Sequence, residues 1–393
     1  MSAAHRRTPH VAILGIRGLP AAHGGFESFA ERLAPHLVEQ GWRVTVYCQE
    51  GGQGPRRRSH WQGVQRVHIR VGDDTPVASM RFDWHAITET VRDRPDVALV
   101  LGYNTAAFTA RLRLAGIPTL INMDGIEWSR AKWGPAAKAW LYLNERMGCW
   151  LGHHLVADHP HIARHLATRV SPRKIATIPY GGELIERADV RHLERLGLAP
   201  GEYLTLIARP EPENSVLEVV RAYSARPRPH PLVVLGHYAP DASPFHRAVL
   251  QAASPDVRFV GAIYDAAVVQ ALRRHCRLYV HGHRVGGTNP SLLEAMGAGN
   301  AVLAHDNPFN RWVAGAGAVY FRDRAGCERL FDQMAQIDWA AMGRANQARV
   351  REVFDWQQVL GSYTDTLQAM ARRERAPAGE RVGHPDWRRH TVS

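Results

Sequence analysis

Residues 281–300 read HGHRVGGTNPSLLEAMGAGN, a polar, glycine-bearing loop that runs into an apolar helix start carrying one carboxylate, Glu294. Gly287, Thr288 and Asn289 come just before a helix predicted to begin near Pro290–Ser291, with proline at a tolerated first-turn position. The N–H groups of a first helical turn have no partner inside the helix, so such a loop suits an anion, above all a phosphate. Glu294 is expected in that first turn. There it either complements the helix dipole or accepts hydrogen bonds from the hydroxyls of a ribose. Two other places offer the same chemistry. Gly24 and Gly25 stand immediately before a helix, with Arg17 in the same loop. They are either a flexible turn or a close approach of backbone to phosphate. Arg209 ends the run YLTLIAR and precedes PEPEN. It suits bidentate phosphate contact, or a surface salt bridge with Glu211 or Glu213. Neither the GxGxxG fingerprint nor a GxxxxGK[ST] loop is present.

The elements that must position these residues follow from a rhythm of short apolar runs and helix-length segments. In the first half the runs are 11–15, 44–48, 64–71, 97–102, 118–124, 153–158 and 175–181. Run 64–71 follows a polar loop and reads as an antiparallel or edge excursion. A second series occupies 203–209, 231–236, 257–261, 277–282, 301–306 and 317–321. Near-continuous apolar strands alternating with helices imply parallel sheets covered on both faces. The expected fold is α/β, with two Rossmann-like domains facing a central cleft that their ligand loops line. We assign residues 1–185 to the first domain and 186–355 to the second, 356–371 to a C-terminal helix within the amphipathic stretch 351–371, and 372–393 to a basic disordered tail.

At 393 residues the chain is too long for one core. Charged residues make up 22%, and no apolar run reaches the ~18 residues of a membrane span. Four scattered cysteines without CxxC spacing argue against a zinc site or a disulfide framework and suit a reducing cytosol. His23, His281 and His283 make a poor metal set, because two of them are only an i, i+2 pair. The net charge is +12, concentrated at Arg6–Arg7, Arg56–Arg58 and the tail from Arg372 to Arg389. Such runs are either solvated surface or attract polyanions, including an anionic membrane. No nucleic-acid-binding motif accompanies them, so nucleic acid is not an expected partner.

Five stretches in order carry a resemblance over roughly residues 9 to 370: GIRGLPAAHGGFESFAERL, NMDGIEWSRAKW, IPYGG, RPEPEN and HGHRVGGTNPSLLEAM. The chain resembles GT-B glycosyltransferases of the large retaining, family-4-like class, and more narrowly bacterial polysaccharide rhamnosyltransferases. That resemblance implies that Gly24 and Gly25 lie beside a donor diphosphate, that Arg209 neutralises it, and that Glu294 binds the nucleotide ribose as the second glutamate of an E-x7-E motif. It implies that the helix opening at Ser291 and Leu292 offers N–H groups to the phosphates. It places Tyr103, Asn104, Asp124, Glu127, Trp128, Arg130 and Lys132 on loops that hold the acceptor. The implied reaction is front-side transfer with retention, catalysed through Arg209 and the helix N-termini, with Asp124 orienting the acceptor hydroxyl. The donor implied is dTDP-rhamnose, with GDP-mannose or a UDP-sugar as the alternative. The acceptor implied is a polyprenyl-diphosphate-linked saccharide at the cytoplasmic face of the cell membrane. No cofactor or metal is expected.

Two positions depart from the wider class. Gly286 stands where the first glutamate of E-x7-E belongs, and Asn214 stands where a clamp lysine follows the phosphate arginine. Arg17, Arg284 or Lys132 could replace that charge. The departures leave an inactive transferase open as a reading, beside a remote one of non-catalytic nucleic-acid binding.

Overall fold

The computed structural model describes residues 8–22, 24–72 and 75–375. The chain forms two compact units, Met1–Pro179 with Gln357–Ser393, and Tyr180–Trp356. The first holds an eight-stranded sheet built from β1 (His10–Leu14), β2 (Arg43–Glu50), β3 (Arg57–Trp61), β4 (Val64–Arg70), β5 (Val97–Leu101), β6 (Thr119–Asn122), β7 (His154–Ala157) and β8 (Ile175–Thr177). Its order is β3-β4-β2-β1-β5-β6-β7-β8. The second holds β9 (Leu204–Ile207), β10 (Leu232–Leu235), β11 (Val257–Gly261), β12 (Leu278–His281), β13 (Val302–His305) and β14 (Ala318–Phe321), in the order β11-β10-β9-β12-β13-β14.

Every described strand pairing is parallel except β3 with β4. The central strands are buried on both faces, which is why they read as unbroken apolar runs. Run 64–71 is therefore not itself the antiparallel excursion. It lies parallel to β2, and the antiparallel partner is RRSHW, joined to it through Gln62 and Gly63 at φ 47° and 76°. Two consecutive left-handed residues are what a tight two-residue hairpin requires. The arginine run 56–58 thus leads into and begins an edge strand rather than a free charged surface. Arg57 pairs with Glu50 at 2.8 Å, Arg58 with Asp93 at 3.3 Å, and Arg56 with Glu89. Arg6–Arg7 and the tail beyond 375 lie outside the described residues.

The amphipathic stretch at the C-terminus is two helices, Trp339–Val353 and Trp356–Arg375, interrupted at Phe354 and Asp355. The break arises because Phe354 and Asp355 engage Gly182: the Gly182 N–H donates to the Phe354 carbonyl, and Gly182 bridges Asp355. These contacts also put Tyr180–Gly182 in the second unit, so the crossing falls at Pro179–Tyr180 rather than at 185–186. The helix Trp356–Arg375 returns to the first unit. There Tyr363 is buried, with its ring 4.7 Å from that of Phe29. No helix of the described residues is long and apolar enough to cross a membrane. All four cysteines are free and buried.

Candidate functional site

In each unit the strand order fixes one place for ligand loops. From β1 the chain moves outward to β2 and β4, then returns to β5 on the other side of β1. From β9 it moves to β10 and β11, then returns to β12. The crossovers leave β1 and β5, or β9 and β12, in opposite directions. A crevice therefore opens at their carboxyl ends, the topological switch point where doubly wound sheets bind ligands.

In the second unit, Arg209 leaves the end of β9 and the loop from Gly282 to Asn289 leaves the end of β12. Arg209 is exposed, and among the described residues its guanidinium makes no ion pair or hydrogen bond. The surface salt bridge with Glu211 or Glu213 is not formed. Asn214 donates through Nδ2 to the Arg209 carbonyl at 2.9 Å. The residue at the clamp-lysine position therefore closes the arginine's loop instead of adding charge. The β12 loop is tied to the same segment, since the Arg284 N–H donates to the Glu213 carbonyl at 2.9 Å. The Arg284 side chain reaches Ser215 Oγ at 2.8 Å and Glu218 at 2.6 Å, so its charge is already matched.

Gly286 adopts φ +135°, with nothing within 4 Å of the place a Cβ would take. Space would admit a side chain there, but the backbone conformation favours glycine. The loss of the carboxylate and the shape of the loop are one feature.

The helix Pro290–Gly297 is capped by Asn289, whose side chain accepts the Ser291 N–H at 3.0 Å. The Leu292 N–H donates to the Asn289 carbonyl at 3.1 Å. This corrects the expectation that these two groups are held out for phosphate: both are used inside the turn. Gly287, Thr288 and Asn289 remain the backbone ahead of the cap, with Thr288 buried. Glu294 belongs to the second turn, not the first, which carries no acid. Its carboxylate is half-exposed and bonded at 2.6 Å to Arg273, a buried arginine from the helix Ala266–Arg274. Arg273 also reaches Ser291 Oγ at 3.3 Å, and Ser291 Oγ lies 2.5 Å from the Tyr279 hydroxyl. That hydroxyl donates to the Ile207 carbonyl at the end of β9 at 3.3 Å. A buried polar network thus fixes the orientation of Glu294 and joins both strands of the switch point. Sequence reasoning missed Arg273, because its partner lies on another helix and nothing in its neighbours marks it. His281 and His283 stack at 4.4 Å, and burial holds His281 well below the ordinary histidine value. His23 lies outside the described residues. No group of three or more His, Cys, Asp or Glu that could hold a metal occurs among the described residues.

In the first unit, Gly15 leaves β1 at φ +83°, where a Cβ would collide with the Leu101 carbonyl at the end of β5. Gly24 caps the helix Gly25–Glu39 without a side-chain bond, so Gly25 is its first residue. Glu27 in that turn accepts the Arg17 N–H at 3.1 Å and is buried. The first turn therefore already faces a carboxylate of its own. Asn104 lines a cavity of about 60 Å3 with Leu14, Gly15, Gly102, Asp83 and Thr105. Tyr103 does not face that space: it is buried, and its hydroxyl accepts the Glu127 N–H at 2.8 Å. It props the loop that carries Glu127.

Asp124 follows β6 at φ +48°, its N–H donated to Asn122 Oδ1 at 2.9 Å. Burial, then the charge of Glu127, push its carboxyl up to about 6, against the pull of the Gly125 N–H, Arg130 and Lys132. Glu127 pairs with Arg130 at 2.6 Å and with Lys132 at 3.9 Å, so Lys132 is no more a spare cation than Arg284. Trp128 donates its indole N–H to buried Glu145 at 2.7 Å, which also binds Arg169 and His165. Burial raises Glu145, but the hydrogen bonds from His165 and Trp128 outweigh it and hold the carboxyl below its usual range.

A family model described as a domain of unknown function, DUF1972, matches residues 8–183, less than half of the chain. No curated protein matches. Among solved structures, a sucrose-phosphate synthase from Thermosynechococcus elongatus superposes with a TM-score of 0.78 at 15% identity, covering 93% of this chain and all (100%) of that one. The Anabaena protein HepE, solved with UDP, gives 0.72 at 12% identity over 92% of this chain and 100% of its own. A trehalose 6-phosphate synthase from Burkholderia multivorans gives 0.70 at 10% identity, over 95% and 100%. The fold is GT-B. In GT-B terms the first unit is the N-terminal domain, completed by the helix Trp356–Arg375, and the second is the C-terminal domain.

Proposed function

We propose that this chain is a retaining glycosyltransferase that takes a sugar from a nucleotide diphosphate. The observation that carries the reading is Arg209. It is an exposed guanidinium without a partner among the described residues, at the same switch point whose other strand leads to Glu294, a carboxylate that a buried network orients. A diphosphate is the complement of that arginine, and ribose hydroxyls are the complement of Glu294. The largely buried carboxyl of Asp124 lies on a loop at the carboxyl end of β6. There it would accept a hydrogen bond from the acceptor hydroxyl, with Arg17, Asn104, Glu127, Trp128, Arg130 and Lys132 shaping that side.

In the reaction, the C1–O bond to the diphosphate breaks as the acceptor oxygen attacks from the same face. The leaving phosphate takes the acceptor proton, and Arg209 stabilises the charge gathering on it. Donor residues are then Gly24, Gly25, Arg209, Gly287, Thr288, Asn289 and Glu294, with Ser291 acting through Arg273 and Leu292 through packing. The sequence resemblance supports dTDP-rhamnose as donor. It also supports a polyprenyl-diphosphate-linked saccharide as acceptor, an anionic membrane as partner and the cytoplasmic face of the membrane as the place of work. A UDP-sugar is the second reading, favoured by HepE with bound UDP and by a trehalose-6-phosphate protein from E. coli bound with UDP-2-fluoro glucose. Binding and hydrolysis across dTDP-, UDP- and GDP-sugars test the proposal: one nucleotide class should bind at micromolar levels, and absence of binding to all three would remove it.

A further inference from the structure

The arginines of run 56–58 share Glu50, Glu89 and Asp93 with Arg70 and Arg92 at the edge of the sheet. A second cationic region of the first unit also carries exposed apolar side chains. The helix Pro135–Leu151 leaves Leu143 and Trp150, one face of the helix at i and i+7, 51% and 55% exposed. Leu114, at the end of the short helix Ala110–Leu114, is 88% exposed. Side chains cross between these segments. Arg113 donates to the Leu151 carbonyl at 3.2 Å, and Lys174 to the Cys149 carbonyl at 2.5 Å. The Arg146 guanidinium sits 5.8 Å from the Trp150 ring. Among the described residues no carboxylate pairs with Arg113, Arg146 or Lys174.

We propose that Leu114, Leu143 and Trp150, rimmed by Arg113, Arg146 and Lys174, form a docking surface for an anionic phospholipid bilayer. The rim cations lack internal counter-ions and match lipid phosphates, while tryptophan and leucine side chains enter the headgroup boundary. A second copy of the chain would set these same cations against each other. The helix Pro135–Leu151 ends just before β7 starts, so its Trp150 end lies at the amino ends of the strands. Docking there leaves the loops at the carboxyl ends uncovered. The inference rests on the membrane partnership proposed above for its purpose, but it is tested without any sugar chemistry.

The full chain is sedimented with vesicles of phosphatidylcholine alone and with vesicles rich in phosphatidylglycerol, at low and high salt. The wild type should partition onto the anionic vesicles and be released by salt. Leu143→Glu and Trp150→Glu should each weaken that partition by about tenfold. Arg146→Glu should flatten its salt dependence. Tyr264→Glu, at a position 91% exposed in the other unit, should change nothing. Equal partition of the wild type, Leu143→Glu and Trp150→Glu would overturn the proposal, whether all bind through another segment or none binds. So would a wild-type dimer that Trp150→Glu converts to monomer. UDP and dTDP affinities of the same variants are read in solution, so a failure of docking is distinguishable from a failure of donor binding.

Discussion

Asp124 shows how one residue carries both an energetic load and a functional expectation. Its backbone sits in the left-handed region, and its carboxyl is raised from 3.8 to about 6. A raised folded-state value means the folded chain holds the proton more tightly than the unfolded chain. The contribution to stability is fully present below pH ~4 and is lost as pH rises through about 6. Asp124→Asn should therefore gain stability over the wild type as pH increases across that window. The gain should plateau near 2 kcal/mol, on the order of 1.4 kcal/mol per unit reduced by partial solvation. Thermal melts at pH 4 through 8 read it. A difference that does not vary with pH would show that only the left-handed backbone, which asparagine tolerates well, is at issue. If ionised Asp124 orients the acceptor, kcat/KM should fall on the acid side with a midpoint near pH 6. Gly286 is the counter-example: its type is dictated by φ +135° rather than by what it could touch.

At the scale of elements, two side chains do the positioning. Tyr363 on the helix Trp356–Arg375 accepts Asn122 Nδ2 at 2.7 Å, and Asn122 Oδ1 accepts the Asp124 N–H. Tyr363→Phe leaves a buried amide N–H without its acceptor, at a cost of about 1–2 kcal/mol, a fall in Tm of several degrees. An unchanged Tm would mean the C-terminal helix does not brace the β6 loop. Arg273→Met frees Glu294 from its partner. UDP or dTDP affinity should drop about tenfold, the effect of one charge-assisted bond, with the fold retained by circular dichroism. Unaltered affinity would separate Glu294 from ribose binding.

What was legible in the sequence, and what was not, divides along the same line. Strands buried on both faces announce themselves as apolar runs, and loops at their ends follow. β3 was not legible, because RRSHW reads as charge until Glu50, Glu89 and Asp93 are seen opposite. Glu294 and Arg209 could be found from their stretches. Arg273, the use of the Ser291 N–H by Asn289 and the burial of Tyr103 depend on packing between segments distant in sequence, which spacing does not encode.

At the scale of the molecule, the GT-B architecture gives each unit one switch point, with Gly15 and Asn104 in the first and Arg209 and the loop Gly282–Asn289 in the second, while Asp124 to Lys132 follow the neighbouring strand β6. The net charge of +12 is not one surface. Arginines at the β3 edge face carboxylates, whereas Arg113, Arg146 and Lys174 near the exposed apolar side chains of the helix Pro135–Leu151 pair with none among the described residues. The central claim is that the unpaired arginine after β9 stabilises a leaving diphosphate. Because the Arg209 side chain makes no bond among the described residues, and alanine keeps the carbonyl that Asn214 binds, Arg209→Ala should leave Tm unchanged, which separates chemistry from folding. The most direct measurement is the turnover of the bound nucleotide sugar, by transfer or by hydrolysis, in the wild type and in Arg209→Ala. Arg209→Ala should lower kcat by about a hundredfold or more at constant Tm. Near-normal turnover in Arg209→Ala would contradict it.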